Sequence, residues 1–317
     1  MTRPTLADVL AAAERIRPHA HRTPVLTCRA LDGMTGARLF FKCENFQKVG
    51  AFKFRGATNA VFALSEEDAR RGVLTHSSGN HGAALALAAH LRGIPAIVVV
   101  PANAPPVKRA AIAGYGARIV PCEPTLASRE ETAARVLAET GATLVHPYDD
   151  DRIIAGQGTA ALELLADVPE LDIVLAPIGG GGLVSGTAIA VAGVSPTTRV
   201  IAAEPAAADD AWRSLRAGKI IPQTDPRTVA DGLRTSLAPR TFAILRELVA
   251  DIVTVSEEEI IRAMRHVLER MKVVIEPSSA VPVAAVLSGR LDVAGRRVGI
   301  ILSGGNVDWD RLPWPRP

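Results

Sequence analysis

The length, composition and charge of the chain exclude several classes of protein before any motif is considered. Its 317 residues suffice for two domains or for one large α/β unit with a smaller insert, and 48% hydrophobic with 22% charged residues is typical of a globular protein. The formal net charge is only +3, and no basic block is interleaved with aromatic residues, so we expect a small-molecule partner and no nucleic acid.

The cysteines and the apolar runs favour a reducing, aqueous environment. Cys28, Cys43 and Cys122 lie far apart and outside any CxxC or Cys/His cluster, which argues against a zinc site or a disulfide framework. The N-terminal segment resembles a helix with a capping box of Thr5 and Asp8 rather than a signal peptide. No uncharged run approaches the roughly 20 residues that span a bilayer. We predict a cytoplasmic protein with no membrane partner.

From about residue 72, helical and strand patterns alternate along the chain. The helical segments are rich in alanine, leucine and charged residues, and the strand segments are short β-branched runs of the kind buried on both faces of a sheet. This alternation predicts parallel sheets covered by helices on both faces. The predicted helices are 79–93, 105–116, 128–141, 156–169 and 256–272, and the predicted strands are 94–101, 117–122, 143–148, 172–178, 200–205 and 298–303.

Three loops follow predicted strands, at the sheet edge where ligands of open parallel sheets bind. They are "HSSGNHG" at 76–82, "PIGGGGLVSG" at 177–186 and "SGGN" at 303–306. The four glycines of the second loop, Gly179 to Gly182, precede a helix and allow successive N–H groups to surround an anion. Their spacing fits neither a dinucleotide fingerprint nor a Walker loop, so we predict a site for one phosphate, with a tight turn as the alternative. The other two loops alone are equally compatible with a helix cap or a turn.

Lys53 lies between Phe52 and Phe54 in a glycine-bounded segment with a buried pattern. Because a buried charged amine is costly, this lysine either extends to the surface or is kept partly neutral for covalent chemistry. The phosphate loop favours the second interpretation, since pyridoxal phosphate requires both a phosphate site and a nucleophilic amine.

Five ordered motifs resemble those of the fold-type II pyridoxal-phosphate enzymes, most closely the serine racemase and serine/threonine dehydratase (threonine ammonia-lyase) group. They are "KCENFQKVGAFKFRGA", "SSGNHG", "GGGG", "IEPSSA" and "SGGNVD", and the similarity runs from about residue 5 to 308. The resemblance implies a tryptophan synthase β-like α/β fold with two open, twisted, mostly parallel sheets flanked by helices. It also implies a homodimer, a large domain of residues 1–53 and 147–317, and a small domain of residues 54–146.

The resemblance implies a role for each matched position. Lys53 corresponds to the lysine that bonds covalently to the cofactor aldehyde, and the glycine quartet to the loop that holds the cofactor phosphate. The other cofactor positions are Phe52 beside the ring, Asn80 at the 3-oxygen, Glu276 near the cofactor and Ser303 at the pyridine nitrogen; the substrate positions are Ser77, Ser78 and His81 for the carboxylate, and Arg129.

The activity implied is dehydration of β-hydroxy amino acids of the L-serine or L-threonine type to a 2-oxo acid and ammonia, with Lys53 as general base. Ser78 implies an accompanying serine racemase activity, because a hydroxyl opposite Lys53 can return a proton from the other face. Alternatives are a primary serine racemase, a threo-3-hydroxyaspartate ammonia-lyase and, outside enzymes, a non-catalytic phosphate-binding α/β protein. A sulfide-using synthase fits "FKFRG" less well. Ala51 and Val49 depart from the common Ser and Thr, which affects substrate preference and weakens transfer of a nucleotide effector site.

The segment "AAEPAAADDAW" supplies oxygen atoms from Glu204, the Ala208 carbonyl and Asp210. Alone, these residues are typical of a negatively charged helix start. Their resemblance to the "EPxxADD" metal segment of serine racemases implies a structural Mg²⁺, or Ca²⁺ or Mn²⁺ in its place.

Overall fold

The computed structural model describes residues 3–77, 79–104 and 106–314. Its helices in chain order are α1 Leu6–Ile16, α2 Arg29–Thr35, α3 Lys53–Phe62, α4 Glu66–Arg71, α5 Asn80–Arg92, α6 Pro106–Gly114, α7 Leu126–Thr140, α8 Asp151–Asp167, α9 Gly182–Val194, α10 Asp210–Ala217, α11 Pro239–Leu248, α12 Glu257–His266 and α13 Pro277–Leu287. Its strands are β1 Val25–Leu26, β2 Arg38–Cys43, β3 Val73–His76, β4 Ala96–Pro101, β5 Arg118–Cys122, β6 Thr143–Leu144, β7 Ile173–Pro177, β8 Arg199–Pro205, β9 Asp251–Val255 and β10 Arg297–Leu302.

The strands form two sheets, as the alternating sequence pattern predicts. One has six strands in the order β1-β2-β10-β7-β8-β9, and the other has four in the order β5-β4-β3-β6. Every pairing is parallel except that of the short edge strand β1 with β2. The predicted α/β class with mostly parallel sheets is therefore confirmed, whereas the domain boundaries at residues 54 and 146 stay a prediction.

Helices bury both faces of the six-stranded sheet. Residues of α2, α12 and α13 pack against one face, and residues of α1, α8, α9 and α11 pack against the other. The strand β7 is buried at all five positions, which explains its continuous apolar sequence. The carboxyl ends of β7 and β10 lead into the predicted glycine loop and the "SGGN" loop, so the fold places both at one edge of the sheet.

Several local predictions are confirmed and two boundaries are wrong. The capping box of Thr5 and Asp8 is present, and α5 ends before Gly93, whose φ is 73°. The predicted strand 143–148 ends at β6 because His146 Nδ1 accepts hydrogen bonds from the backbone N–H groups of Tyr148 and Asp149, which turns the chain. The predicted helix 156–169 begins earlier, at Asp151, because the Asp150 side chain caps it.

Helix α3 is fixed to its surroundings by a buried ionic network around Arg55. The guanidinium donates to both carboxylate oxygens of Glu44 and both of Glu163, with distances of 2.7 and 2.8 Å. Lys42 Nζ adds a hydrogen bond of 2.6 Å to Glu163. Arg55, Glu44 and Lys42 are completely buried, so their charges depend on one another. The network joins the helix that begins with Lys53 to β2 and α8.

Among the helices of residues 3–77, 79–104 and 106–314, none is both long and apolar enough to cross a membrane.

Candidate active site

Lys53 is the first residue of α3, and its amine is enclosed. The Nζ atom donates to the backbone carbonyl of Pro147 at 2.9 Å and lies 5.1 Å from the centre of the Phe52 ring. Burial lowers the pKa of Lys53 from 10.5 to about 8, against the opposing effect of the Glu276 carboxylate. A shift of this size raises the fraction of neutral amine at neutral pH roughly 300-fold. A larger neutral fraction makes the amine of Lys53 a better nucleophile, while its bond to a cofactor stays a prediction.

The segment before Lys53 is attached to the loop after β10. Ala51 forms an isolated antiparallel bridge with Gly304, and the Phe52 N–H donates to the Ser303 carbonyl at 2.9 Å. Ser303 is buried, and its hydroxyl lies 3.0 Å from that of Ser279. Two motifs that are 250 residues apart in sequence are therefore neighbours at Lys53.

Asn80 and Glu276 belong to the same cluster of residues as Lys53 and Ser303. The Asn80 amide nitrogen lies 3.0 and 3.2 Å from the two oxygens of the Glu276 carboxyl group, and the Asn80 oxygen accepts from Asn306 at 2.9 Å. Burial raises the pKa of Glu276 to about 7, although the hydrogen bond from Asn80 acts in the opposite direction. Sequence reasoning assigned no role to Asn306, although it lies within the "SGGN" loop.

The glycine quartet connects β7 to α9, and close packing accounts for some of its glycines. A Cβ at Gly180 would lie 2.5 Å from three ring carbons of Tyr148, and Gly181 has a φ of 88°, which disfavours other residues. A tight turn alone therefore explains part of the glycine content. The N-terminus of α9 nevertheless presents backbone N–H groups without intrahelical partners, as every helix start does. In its first turns the Ser185 hydroxyl is buried and has no hydrogen-bond partner among the described residues.

Pro147 and Tyr148 join Lys53 to the glycine quartet. The Pro147 carbonyl accepts from Lys53, and the next residue packs against the loop. The preceding His146 contacts the Tyr148 ring edge-on at a centroid distance of 4.6 Å. Burial lowers the pKa of His146 to about 4, so the ring is neutral at physiological pH. The sequence pattern predicts a strand over 143–148 and gives no indication of the contact between Pro147 and Lys53.

The predicted substrate loop lies at the start of α5. The Ser77 hydroxyl accepts from the Gly79 N–H at 3.3 Å, whereas Ser78 lies outside the described residues. His81 is buried with Nε2 3.2 Å from the Val145 carbonyl, and burial lowers its pKa well below the ordinary value. A neutral ring beside a carbonyl must donate its Nε2–H there, so His81 is anchored to the strand end rather than free to move.

Arg129 lies on α7 and is half-buried. Its Nε atom is buried and has no hydrogen-bond partner within the described part of the chain. Burial and, to a smaller extent, the charge of Arg129 lower the pKa of His76, whose ring lies 5.5 Å from that of His146. An arginine near the histidines that adjoin Lys53 thus has an unused donor.

A cleft of about 860 Å³ opens beside Asn80. One wall of the cleft is formed by α5 and α6, on the side of the four-stranded sheet. The other is formed by the segments around Asp231 and Asn306, on the side of the six-stranded sheet. Lys108 and Asp231 form an ion pair of 2.7 Å across it. The cleft gives the cluster a connection to solvent.

Glu204 and Asp210 lie at the end of β8 and the start of α10. The Glu204 carboxylate accepts from the Trp212 N–H at 2.6 Å and the Ala211 N–H at 3.3 Å, the contacts of a helix start. Burial raises the pKa of Glu204 well above its usual value and that of Asp210 to about 6. In the described part of the chain neither carboxylate forms a salt bridge. Ala208, whose carbonyl completes the predicted oxygen set, is also buried.

Comparisons with known proteins agree on one family. The family model described as pyridoxal-phosphate dependent enzyme matches residues 16–304. The chain is 55% identical over 311 residues to β-hydroxyaspartate dehydratase of Paracoccus denitrificans, covering 98% of this chain and 99% of the relative. It is 54% identical over 316 residues to serine racemase of Arabidopsis thaliana, with 96% of both covered. The crystal structure of serine racemase from Dictyostelium discoideum superposes with a TM-score of 0.92 at 48% identity, covering 96% of this chain and 99% of that one.

Proposed function

The chain belongs to the pyridoxal-phosphate dependent enzyme family, and from that premise we propose that it dehydrates β-hydroxy amino acids to a 2-oxo acid and ammonia and also racemises serine. The observation that carries the proposal is the enclosed amine of Lys53, next to the loops that the sequence resemblance assigns to cofactor and substrate. A phosphate-binding protein without catalysis has no use for such an amine. Relatives named as a dehydratase and as a serine racemase support both activities.

The residues around Lys53 fit pyridoxal phosphate. The unpartnered Ser185 hydroxyl and the N-terminus of α9 offer donors for its phosphate, and Lys53 offers the amine for its aldehyde. Asn80 and Ser303 are the proposed partners of the ring oxygen and ring nitrogen. When bound, the cofactor supplies an electron-withdrawing ring that lowers the energy of negative charge at the substrate Cα.

Lys53 is the proposed general base. With its pKa near 8, the amine exchanges protons readily at physiological pH, so Nζ is suited to remove the proton from the substrate Cα. The Pro147 carbonyl holds this nitrogen on the side of the glycine quartet. Ser303 offers the ring nitrogen a neutral hydroxyl instead of a carboxylate. We expect this weaker partner to favour loss of the β-hydroxyl over reactions that need a long-lived charge at Cα.

A panel assay with a Ser78→Ala variant tests this proposal. We expect 2-oxo acid release from β-hydroxy amino acids, and D-serine formation from L-serine as a smaller flux. In Ser78→Ala, inversion should be lost while part of the dehydration remains, because Ser78 is the proposed acid on the face opposite Lys53. The measurement is 2-oxo acid release together with chiral analysis of the remaining serine. Persistent D-serine formation in the variant would contradict the assignment of Ser78 as the acid on the substrate face opposite Lys53.

A second candidate substrate is threo-3-hydroxyaspartate, favoured by the Nε donor of Arg129, which no described residue accepts. A carboxylate on Cβ can pair with a guanidinium, whereas the serine side chain cannot. We expect Arg129→Gln to reduce kcat/KM for hydroxyaspartate by about 10-fold or more and to change that for serine much less. Equal losses for both substrates would remove the support for this candidate.

We also propose a divalent cation, Mg²⁺, Ca²⁺ or Mn²⁺, held by Glu204, Asp210 and the Ala208 carbonyl. In the described part of the chain neither buried carboxylate has a salt bridge, so both oppose folding once ionised, and an oxygen-rich set suits a hard cation. A homodimer and a cytoplasmic location are further proposals; size-exclusion chromatography with light scattering tests the first.

Removal of the cation should lower thermal stability in a pH-dependent way. Saturation at about 100 times the dissociation constant stabilises a protein by about 2.7 kcal/mol, so EDTA should lower the Tm and Mg²⁺ should restore it. Without metal, Asp210 is protonated in the folded state up to about pH 6 but ionises near 3.8 when unfolded, so stability should fall as the pH rises through that interval. A Tm insensitive to EDTA at pH 7 would contradict the cation proposal.

A further inference from the structure

A second buried hydroxyl lies directly behind Ser303. Ser279, on α13, is completely buried, and its Oγ is 3.0 Å from that of Ser303. The same Oγ accepts from the Gly304 N–H at 2.7 Å and lies 2.6 Å from the Gly304 carbonyl oxygen. Ser279 therefore has two acceptors within reach of its single proton.

The protons of the two hydroxyls can be arranged in two ways. In one, Ser279 donates to the Gly304 carbonyl and Ser303 donates to Ser279, so that Ser303 turns lone pairs outward. In the other, Ser279 donates to Ser303, and the Ser303 O–H points outward. The Gly304 carbonyl also accepts from the Glu276 N–H at 3.0 Å, so it stays paired in both arrangements. In the first arrangement each hydroxyl proton has an acceptor among these groups, whereas in the second the Ser303 O–H requires an acceptor outside them.

We propose that Ser279 is a positioning residue that enables Ser303 to accept a hydrogen bond from a protonated ring nitrogen of the cofactor as well as to donate to an unprotonated one. The inference rests on the proposed function, because it requires the ring nitrogen at Ser303. When that nitrogen is protonated, the Ser303 proton needs another acceptor, and Ser279 provides it. With alanine at position 279 that acceptor is removed, which disfavours the protonated ring.

The charged groups near the pair are the same in the wild-type protein and the variant. The Glu276 carboxyl group faces Gly304, because a Cβ on that glycine would lie 2.8 Å from its oxygen, and when ionised it favours a protonated ring. A charged Lys53 disfavours the protonated ring. The charges of Asp231 and Lys108 shift the pKa of Glu276. A difference in ring protonation between the wild-type protein and a variant at position 279 therefore results from the Ser279 hydroxyl.

The test uses holoenzyme loaded with pyridoxal phosphate that carries ¹⁵N in the ring, and NMR at one neutral pH. We expect Ser279→Ala to lower the ratio of protonated to unprotonated nitrogen about tenfold. Because protonation strengthens electron withdrawal, the share of inversion among the products should fall as well. Ser279→Cys, with a weaker hydrogen-bonding group, should give an intermediate ratio and serves if the alanine variant does not fold.

Ser278→Ala is the matched control. Ser278 lies on the same helix, is also buried and also accepts a backbone N–H, from Gly232 at 3.2 Å, so its loss costs a comparable contact without touching Ser303. The ratio should stay at the wild-type value in this variant. An unchanged ratio in Ser279→Ala with a changed ¹⁵N signal in Ser303→Ala would overturn the role of Ser279 and leave the proposed function standing. If Ser303→Ala also leaves the signal unchanged, the ring nitrogen is not at Ser303 and the inference is overturned together with the proposed cofactor placement.

Discussion

Replacing Lys53 with alanine is expected to reduce kcat for 2-oxo acid formation by about 10⁴-fold, since the variant loses its general base as well as the amine for the cofactor aldehyde. The enclosed Nζ, its lowered pKa and its contact with Pro147 all depend on this one side chain. Steady-state kinetics on L-serine and threo-3-hydroxyaspartate, together with the visible absorbance of bound cofactor, provide the measurement.

Lys48→Ala is the control for Lys53→Ala. Lys48 is close in sequence and also lies near an aromatic ring, with Nζ 5.7 Å from the centre of Phe54, but it has no part in the proposed chemistry. Its replacement should leave the absorbance unchanged. If Lys53→Ala kept more than about a tenth of the wild-type kcat, a role for Lys53 as the general base would be excluded.

Replacing Arg55 with methionine is expected to lower the free energy of unfolding by about 3–5 kcal/mol, because it leaves the buried Glu44 carboxylate without its salt bridge and Glu163 with Lys42 alone. Glu44 is completely buried and Glu163 has a side-chain exposure of only 18%. Lys42 forms a salt bridge with Glu163, whereas in the described part of the chain it interacts with Glu44 only through its charge. Urea denaturation of the purified variants measures the loss.

Arg71→Met provides the comparison for Arg55→Met. Arg71 also pairs with two carboxylates, Glu67 and Asp68, but all three side chains are exposed, so we expect no measurable change in the urea midpoint. Equal midpoints for the two variants would show that the buried network adds no stability. Because Arg55 follows Lys53 by two residues on α3, we expect a weakened network to reduce cofactor affinity as well.

The layers of the fold were predictable because the signals are local. Parallel strands buried on both faces have continuous apolar sequences, and helices such as α5 carry their own stop at Gly93. The capping box at Thr5 is equally local. The early end of β6 was not predictable in this way, since it depends on the His146 side chain accepting two backbone N–H groups.

The site was predictable in its motifs but not in its contacts. The segments around Lys53, Asn80 and Ser303 are separated by long stretches of chain, and no local pattern shows that Phe52 contacts Ser303 or that Asn80 contacts Glu276. The packing of Tyr148 on Gly180 is a further example, since it gives the glycines a steric reason that sequence alone does not show. Ser279 lies within the motif "IEPSSA", but its proposed role depends on which neighbouring group accepts its proton.

The proposed function requires a covalent bond between Lys53 and the cofactor aldehyde. Borohydride reduction of the holoenzyme, followed by proteolysis and mass spectrometry of the peptides, tests for this bond. We predict one phosphopyridoxyl group, on the peptide containing Lys53, and its loss in Lys53→Ala. A reduced protein that carries no such group, or carries it on another lysine such as Lys48, would contradict the account.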